Sequence, residues 1–551
     1  MKKQINLWLL VALIVGVIFS FYHLIIPNLW GIKPYSPLSL NTMSPSIEVD
    51  EAIFYASKAR EIIDGNFRLS DVMIVEYKKS PPLFLGELVP AGLIAILSKL
   101  GNGVESGFMI ADFFFPALGF LILSWFIYLL TKNQWWAMIG SLLTMFFYHY
   151  LKYLPYLPSI IKLAIKALSS GRCSFMIRSF HPQISLPLFL IFLIGVFKKK
   201  DWLTGIMLGV LAYSHFFYFS FGLALLGWRL RKNLKSLIIG LLISLPYLIS
   251  LLVFKQSGLA EEFLEKIYFS PRVSWNQLIG LSLGIGLSFL IKNKANRWFF
   301  LNIFITGLVL ILGANLFKFG LDDPIGHWML RVIYPNLIII TVVIIAERIK
   351  TINWKVAVLI LIGLLSYQFR VHWQYFKYNA QAFYIESDKL ELFEWLNQNT
   401  PRGSVVVSAS LKDNLYLPIF THNNNFIPRA QISLVPTQEA EKRFLIAQKM
   451  AGKVDSDIKA MFEINQKLKQ KKRFEFDNCA GVYLYFRQYI KNDYYNCSIS
   501  SIKLNQLLNQ FNNLDPNLSS YQADYWLNIN PFNSGQKIWE NNQYQVYKYH
   551  L

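Results

Sequence analysis

Long uninterrupted runs of apolar residues recur along this 551-residue chain. They constrain its fold more than any other feature. Leu7 to Ile26 and Leu237 to Phe254 are two of them. A run of about 20 apolar residues matches the thickness of a bilayer core. Inside that core every backbone N–H and C=O must find a partner within the segment, so each run predicts a spanning helix. Charged residues make up only 16% of the chain, against about 25% in a typical soluble domain. A soluble globule could not hide this much apolar surface.

The formal net charge of +21 would suggest a nucleic-acid partner on a soluble chain. Here Lys and Arg gather in short connections between apolar runs, which is the charge bias of cytoplasmic loops. No basic stripe is interleaved with aromatics on a polar helix, so membrane lipids are expected as partners and nucleic acid is not. Lys2 and Lys3 put the N-terminus in the cytoplasm. Leu7 to Ile26 exceeds the about 7–15 residues of a signal-peptide core and reads as a retained anchor.

Threading the runs by the positive-inside rule gives about eleven crossings of the inner (plasma) membrane. Residues 1–369 form the transmembrane domain, with residues 27–106 as the first outer loop. Pro81 to Leu100 is apolar but broken by Glu87, Pro90 and Lys99, and is expected to lie on or dip into the outer surface. Trp202 to Trp228 has basic residues at both ends, so it must enter and leave on one side. Two short half-helices broken near Ser214-His215 satisfy this.

Residues 370–551 are expected to be an extracytoplasmic α/β domain. Ser387 to Asn399 has helical spacing and Thr400-Pro401-Arg402-Gly403 stops it. Ser404 to Ala409, Gly481 to Phe486 and Tyr544 to Tyr549 read as strands, and residues 439–473 as helical. The cysteines are Cys173, Cys479 and Cys497, with no C-x-x-C pair to suggest structural zinc. Cys479 and Cys497 either pair, if their domain lies outside the cytoplasm, or stay as thiols.

The first outer loop carries the most chemistry, in VDEAIFYASKAREIIDGN, residues 49 to 66. Asp50 can cap a helix beginning near Glu51, and Gly65 can end it. Adjacent acids supply one base and one partner that tunes it. The same residues also serve an ordinary helix start.

Asp50-Glu51, Phe54-Tyr55, Ala59-Arg60-Glu61 and Gly65-Asn66 together resemble the first outer loop of GT-C glycosyltransferases. The similarity is to the aminoarabinose-transferase and protein O-mannosyltransferase branches. Lys78-Lys79-Ser80-Pro81-Pro82-Leu83 is similar to the Lys-Pro-Pro-Leu stretch of those families, with Ser80 interposed. The resemblance implies a polytopic α-helical fold and catalysis by Asp50, with Glu51 as supporting partner. It implies sugar transfer from a polyprenyl-phosphate carrier to a glycan, lipid or protein acceptor on the outer face. Some members use a divalent ion, so a divalent metal is a possible cofactor, although no tight acidic cluster in the sequence demands one.

The chemistry agrees with that implication. The chain lacks a Gly-rich dinucleotide fingerprint, so a sugar donor would arrive on a lipid. A phosphate leaving group wants cations nearby. Candidates are His327 and Arg331, which open a late span, Arg178 with His181, and Lys78 with Lys79. Arg331 could instead snorkel to headgroups. His215 and Asp112 read first as satisfied polar groups between helices. Asp322-Asp323 is a weak metal candidate and no metal site is assigned. Two other functions fit the chain: a non-catalytic GT-C-like scaffold, and a lipid-linked glycan transporter or flippase.

Overall fold

The computed structural model describes the chain except residue 1 and residues 40–54, 83–85, 102, 154–156, 171–178, 229, 267–271, 319–322, 430–431, 463–478, 482, 485–498, 516–520, 531–534 and 549–551. Among the described residues, seven helices are long and apolar enough to cross a membrane. They are Asn6–Asn28, Val104–Thr131, Phe180–Lys198, Lys232–Gln256, Lys294–Leu316, Pro324–Arg348 and Trp354–Phe383. Shorter apolar helices are Leu88–Gly101, Asp201–Ala212, Phe216–Gly227 and Trp275–Leu290.

The chain begins with α1 (Lys2–Ser20) and its continuation α2 (Tyr22–Asn28). A long segment follows before the next long helix, holding α3 (Ala56–Ile63) and α4 (Leu88–Gly101). The bundle then runs through α5 (Val104–Thr131), α6 (Gln134–Phe147), α7 (Leu157–Ser170) and α8 (Ser185–Lys198).

The basic connections between helices collect at one end. Asn133 Nδ2 donates to the Lys350 carbonyl at 3.0 Å and Trp136 Nε1 to that of Ile349 at 3.0 Å. Asn296 Nδ2 donates to the Leu130 carbonyl at 3.0 Å. The Glu347 carboxylate accepts from the backbone N–H of Lys292 at 2.6 Å and of Asn293 at 3.2 Å. Short polar connections of this kind let their backbone groups satisfy one another where helices end.

The doubled-back segment is present. α9 (Asp201–Ala212) and α10 (Phe216–Gly227) are separated by Tyr213-Ser214-His215. His215 itself is extended, with φ −165° and ψ 113°. The next helix, α11 (Leu230–Gln256), lies against α9. Gly205 and Gly209, four apart on α9, make that approach possible. A Cβ on Gly205 would lie 2.6 Å from Ile239 Cβ, and one on Gly209 2.4 Å from Ile243 Cβ. Small residues spaced this way let two helix backbones close up in lipid, where apolar surface alone gives no driving force.

α12 (Leu259–Lys266), α13 (Trp275–Leu290), α14 (Lys294–Leu316), α15 (Pro324–Trp328), α16 (Tyr334–Arg348) and α17 (Trp354–Asn379) complete the bundle. α17 runs through residue 370 without a break and leads into α18 (Ser387–Asn399).

The C-terminal sheet contains β1 (Val405–Ser408), β2 (Asn424–Asn425), β3 (Tyr525–Leu527), β4 (Gln536–Glu540) and β5 (Gln545–Lys548). Its order is β2-β1-β3-β5-β4. β1 is parallel to β2 and β3, and β5 is antiparallel to β3 and β4. β1 reads as a continuous Val run because both faces are buried. α19 (Leu411–Phe420), α20 (Thr437–Met450) and α21 (Asp455–Phe462) pack with it. Gly452, at φ +73°, separates α20 from α21, and residues 463–473 lie outside the described residues.

The strand expected at Gly481 to Phe486 is not formed by its described residues. Cys479, Ala480, Gly481, Tyr483 and Leu484 have φ of +50°, +39°, +61°, +45° and +52°. Left-handed backbone cannot extend into a ladder, so the apolar–aromatic pattern there belongs to tight turns. Residues 482, 485 and 486 lie outside the described residues. Cys479 is disulfide-bonded.

This first long segment and the C-terminal domain share one hydrophobic core. Ile62, Val72, Met73 and Ile74 belong to the same buried cluster as Val406, Val407 and Phe444. Polar contacts fasten the two. Asp71 Oδ2 accepts from Ser433 Oγ at 2.6 Å and from Leu434 N at 2.7 Å. The Asn425 N–H donates to the Met73 carbonyl at 2.9 Å. Arg443, on α20, reaches Glu76 at 3.0 Å and Glu439 at 2.8 Å. Its guanidinium lies 4.2 Å from the Tyr521 ring centroid. The first loop and the C-terminal domain therefore occupy the same end of the bundle, opposite the basic connections.

Candidate functional site

Asp50, Glu51 and Arg178 lie outside the described residues. Tyr55 is the first described residue after the acidic pair. The Tyr55 ring stacks on Phe180, with centroids 4.4 Å apart, and meets His181 edge-on at 5.4 Å. α3 then runs to Ile63, where Gly65 at φ +91° turns the chain, as its sequence position predicts.

Three histidines from distant segments converge, with His181 against Tyr55. His181 and His215 have ring centroids 4.2 Å apart, and His215 and His327 5.9 Å. Phe217 stacks on His327 at 4.3 Å. Arg331 is buried, and its Nε donates to His327 Nδ1 at 2.9 Å. Because a guanidinium only donates, His327 accepts through Nδ1, which leaves Nε2 to carry the ring proton. The tip of the α9–α10 hairpin thus brings His215 between the start of α8 and the start of α16.

Local sequence explains how both of those helices begin. Each starts in a wide helical turn, Ser179–Ile184 before α8 and Met329–Ile333 before α16. Pro335 has no N–H to give the carbonyl of Arg331, and Pro187 has none to give that of Gln183. Removing an interior hydrogen bond loosens the turn and re-aims the side chains on it. Such bulges recur at functional sites. His181, at φ −139° and ψ 107°, leaves the helical region altogether.

A second polar network anchors the His181 turn. Asp112, buried on α5, accepts from Tyr22 Oη at 2.6 Å and His23 Nε2 at 3.1 Å through Oδ2, and from Gln183 Nε2 at 3.0 Å through Oδ1. His23 Nδ1 and the Tyr35 hydroxyl are 2.6 Å apart. With Nε2 donating to Asp112, Nδ1 accepts the Tyr35 proton. One carboxylate therefore ties α2, α5 and the turn before α8 together. Asp112→Ala should leave several buried donors without an acceptor and destabilise the fold by about 3 kcal/mol or more. Thermal unfolding of the detergent-solubilised protein measures it. An unchanged Tm would mean that the network carries no net stability.

The loop lysines are engaged elsewhere or exposed. Lys78 Nζ donates to Glu61 Oε1 at 2.7 Å, and Lys79 is exposed. Burial pushes the Glu61 carboxyl above its ordinary pKa, and the Lys78 charge opposes that shift. Lys58, which sequence reasoning passed over, is buried one turn after Tyr55. It pairs with Glu87 and lies 5.4 Å from the Tyr55 ring centroid. Asp323 accepts from the Gly326 N–H at 3.1 Å and so caps α15, while Asp322 lies outside the described residues. No group of three or more His, Cys, Asp or Glu able to hold a metal occurs among the described residues.

The fold and this cluster define a polytopic helical membrane protein with a buried arginine–imidazole centre next to Tyr55 of the first long loop. No protein-family model matches the chain, and no curated protein does. Among solved structures it is similar to ArnT from Cupriavidus metallidurans bound to undecaprenyl phosphate, with a TM-score of 0.40 and 13% identity over 77% of this chain and 86% of that one. It is also similar to the oligosaccharyltransferase of Archaeoglobus fulgidus. With an acceptor peptide tethered by a disulfide, that structure gives a TM-score of 0.33 and 11% identity over 86% of this chain and 68% of that one. In the apo form the values are 0.34 and 11%, over 95% and 69%.

Proposed function

We propose that this chain is a membrane glycosyltransferase that moves a sugar from a polyprenyl-phosphate carrier to an acceptor at the outer face. The observation that carries the proposal is the chain of contacts from Arg331 through His327 and His215 to His181, which itself meets Tyr55. A buried permanent cation flanked by imidazole donors is suited to a phosphate leaving group. Asp50 is five residues from Tyr55, and five residues reach at most about 18 Å. That short separation in sequence supports assigning the acidic pair to this site.

In the proposed reaction an acceptor hydroxyl or amine attacks the anomeric carbon. Asp50 takes the acceptor's proton, and Glu51 orients Asp50. The bond from the anomeric carbon to the phosphate oxygen breaks, and Arg331 with His327 stabilises the released polyprenyl phosphate. The acceptor is a glycan, a lipid or a protein. About eleven crossings, residues 1–369 as the membrane domain and residues 370–551 as the extracytoplasmic domain complete the reading. The disulfide at Cys479 supports an oxidising compartment for that domain.

The test is sugar transfer in membranes carrying the wild type or Asp50→Asn, supplied with pooled radiolabelled polyprenyl-phosphate sugars. Loss of a general base should lower transfer about 10²–10⁴-fold at equal expression. Equal product from both proteins would remove Asp50 from the mechanism.

A further inference from the structure

The end of α9 farthest from His215 carries a second surface with a ligand chemistry of its own. α9 begins at Asp201 and runs for 12 residues, about 18 Å, before Tyr213. It lies in parallel register with α11. Ser236 Oγ donates to Asp201 Oδ1 at 3.1 Å, and Gly205 and Gly209 close on Ile239 and Ile243. We propose that the face shared by α9 and α11 at this end binds an anionic phospholipid, with its phosphate on Lys232 and Lys235 and its acyl chains below them. The site is separate from the arginine–imidazole centre and does not depend on the glycosyltransferase reading.

A lipid needs a cationic head site and an exposed apolar surface continuous with it. Both are present. Trp202 is 63% exposed, and the Lys235 ammonium lies 5.4 Å from a Trp202 ring centroid. Indole rings left open at the end of a membrane helix belong at headgroup level, where an apolar body and a polar tip are both satisfied. Lys232, one turn before Lys235, is exposed as well. Ile238 and Leu242, three and seven residues after Lys235, are exposed and continue its face of α11. Ile206, four residues after Trp202, is exposed and continues that face of α9. Because the helices run parallel and Trp202 meets Lys235, the two faces extend side by side away from the charges. A free phosphate would use the lysines alone, whereas an acyl chain also covers the apolar strip.

The local charge is one-sided. Lys198, Lys199 and Lys200 are exposed on the turn before α9. That turn is held close, since a Cβ on Gly195 would lie 2.7 Å from Thr204 Oγ1. Asp201 is the sole acid in the sequence between Lys198 and Leu242, and it is half-buried and holds Ser236. The connection before α14, at the same basic end, is built differently. There Glu347 accepts from the Lys292 and Asn293 N–H groups, and Arg297 donates to the Ile291 carbonyl at 3.0 and 2.8 Å. Each lysine near a membrane surface strengthens attraction to anionic headgroups about fivefold.

The experiment titrates the purified full-length protein in detergent with phosphatidylglycerol and reads bound lipid by native mass spectrometry. Phosphatidylglycerol should bind about tenfold more tightly than phosphatidylcholine of the same chain length. Lys232→Gln combined with Lys235→Gln should weaken phosphatidylglycerol binding about 10–30-fold. Lys292→Gln combined with Lys294→Gln, on the connection before α14, should leave it unchanged. Trp202→Ala keeps every charge, so it serves where loss of lysines disturbs insertion, and it should weaken binding about threefold. Equal affinity for the two lipids would overturn the site. So would wild-type affinity in the Lys232–Lys235 and Trp202 variants, or equal losses in both lysine pairs. Displacement of the lipid by glycerol phosphate at matched concentration would assign the lysines to a soluble anion and overturn it too.

Discussion

Arg331→Met should lower sugar transfer by on the order of 10²–10³-fold, the size of loss seen when one preorganised donor to a developing anion is removed. Arg331 is 3% exposed, and its Nε is already committed to His327. That bond fixes the plane of the guanidinium before any substrate arrives, so its charge costs no reorganisation when the phosphate departs. Met keeps much of the volume and removes the charge. Arg331→Lys should fall between the two, because a point charge cannot hold His327 and a phosphate in one plane. His327→Ala should mimic part of the loss by freeing the guanidinium to swing. The measurement is kcat/KM with a fixed polyprenyl-phosphate sugar, alongside elution profiles that report folding. Full activity in Arg331→Met would exclude the arginine–imidazole centre as the leaving-group site.

How much of this was legible in the sequence depends on the range of the interaction. The spanning helices follow from runs such as Leu237 to Phe254, where length and apolarity suffice. The break at Tyr213-Ser214-His215 was legible because basic residues at both ends of the segment forced it to double back. β1 and β5 were legible from local alternation and Val content. Gly481 to Phe486 carried the same kind of signal. Its described residues form turns, because apolar and aromatic side chains report burial and not backbone conformation.

The site is different. In the sequence His215 reads as a polar group between helices, and His181 and His327 as separate phosphate-binding candidates at the starts of different spans. Their convergence is set by which helices pack together, and no local pattern encodes that. One signal was available: Pro335 stands four residues after Arg331, which predicts a loosened turn at the arginine. Lys58 gave none, since a lysine between Ser57 and Ala59 on an amphipathic helix reads as a solvated face. The fastening of the first loop to the C-terminal domain was also hidden, because Asp71 and Ser433 are 362 residues apart.

Asp71→Ala should be the most destabilising single change in that fastening, at about 4 kcal/mol. Four donors converge on the carboxylate: Met73 N at 2.9 Å, Ile74 N at 2.8 Å, Ser433 Oγ at 2.6 Å and Leu434 N at 2.7 Å. Asp71 is 1% exposed, so water cannot replace it. Each buried donor left without an acceptor costs roughly 1–3 kcal/mol, less in sum because the loop can relax. Ser433→Ala removes one of the four and should cost about 1 kcal/mol. The pH dependence gives an independent check. Burial pushes the Asp71 carboxyl above its ordinary pKa, against the pull of its hydrogen bonds. The folded state then holds its proton at a pH where the unfolded chain has lost it. This stabilising contribution is complete below the unfolded carboxylate pKa and is lost as pH rises through the folded value. The alanine variant lacks it, so the deficit between wild type and Asp71→Ala should widen on acidification through that window. Chemical denaturation of the two proteins at several pH values reads both quantities. A deficit under about 1 kcal/mol would mean that the first loop is held by its apolar core alone.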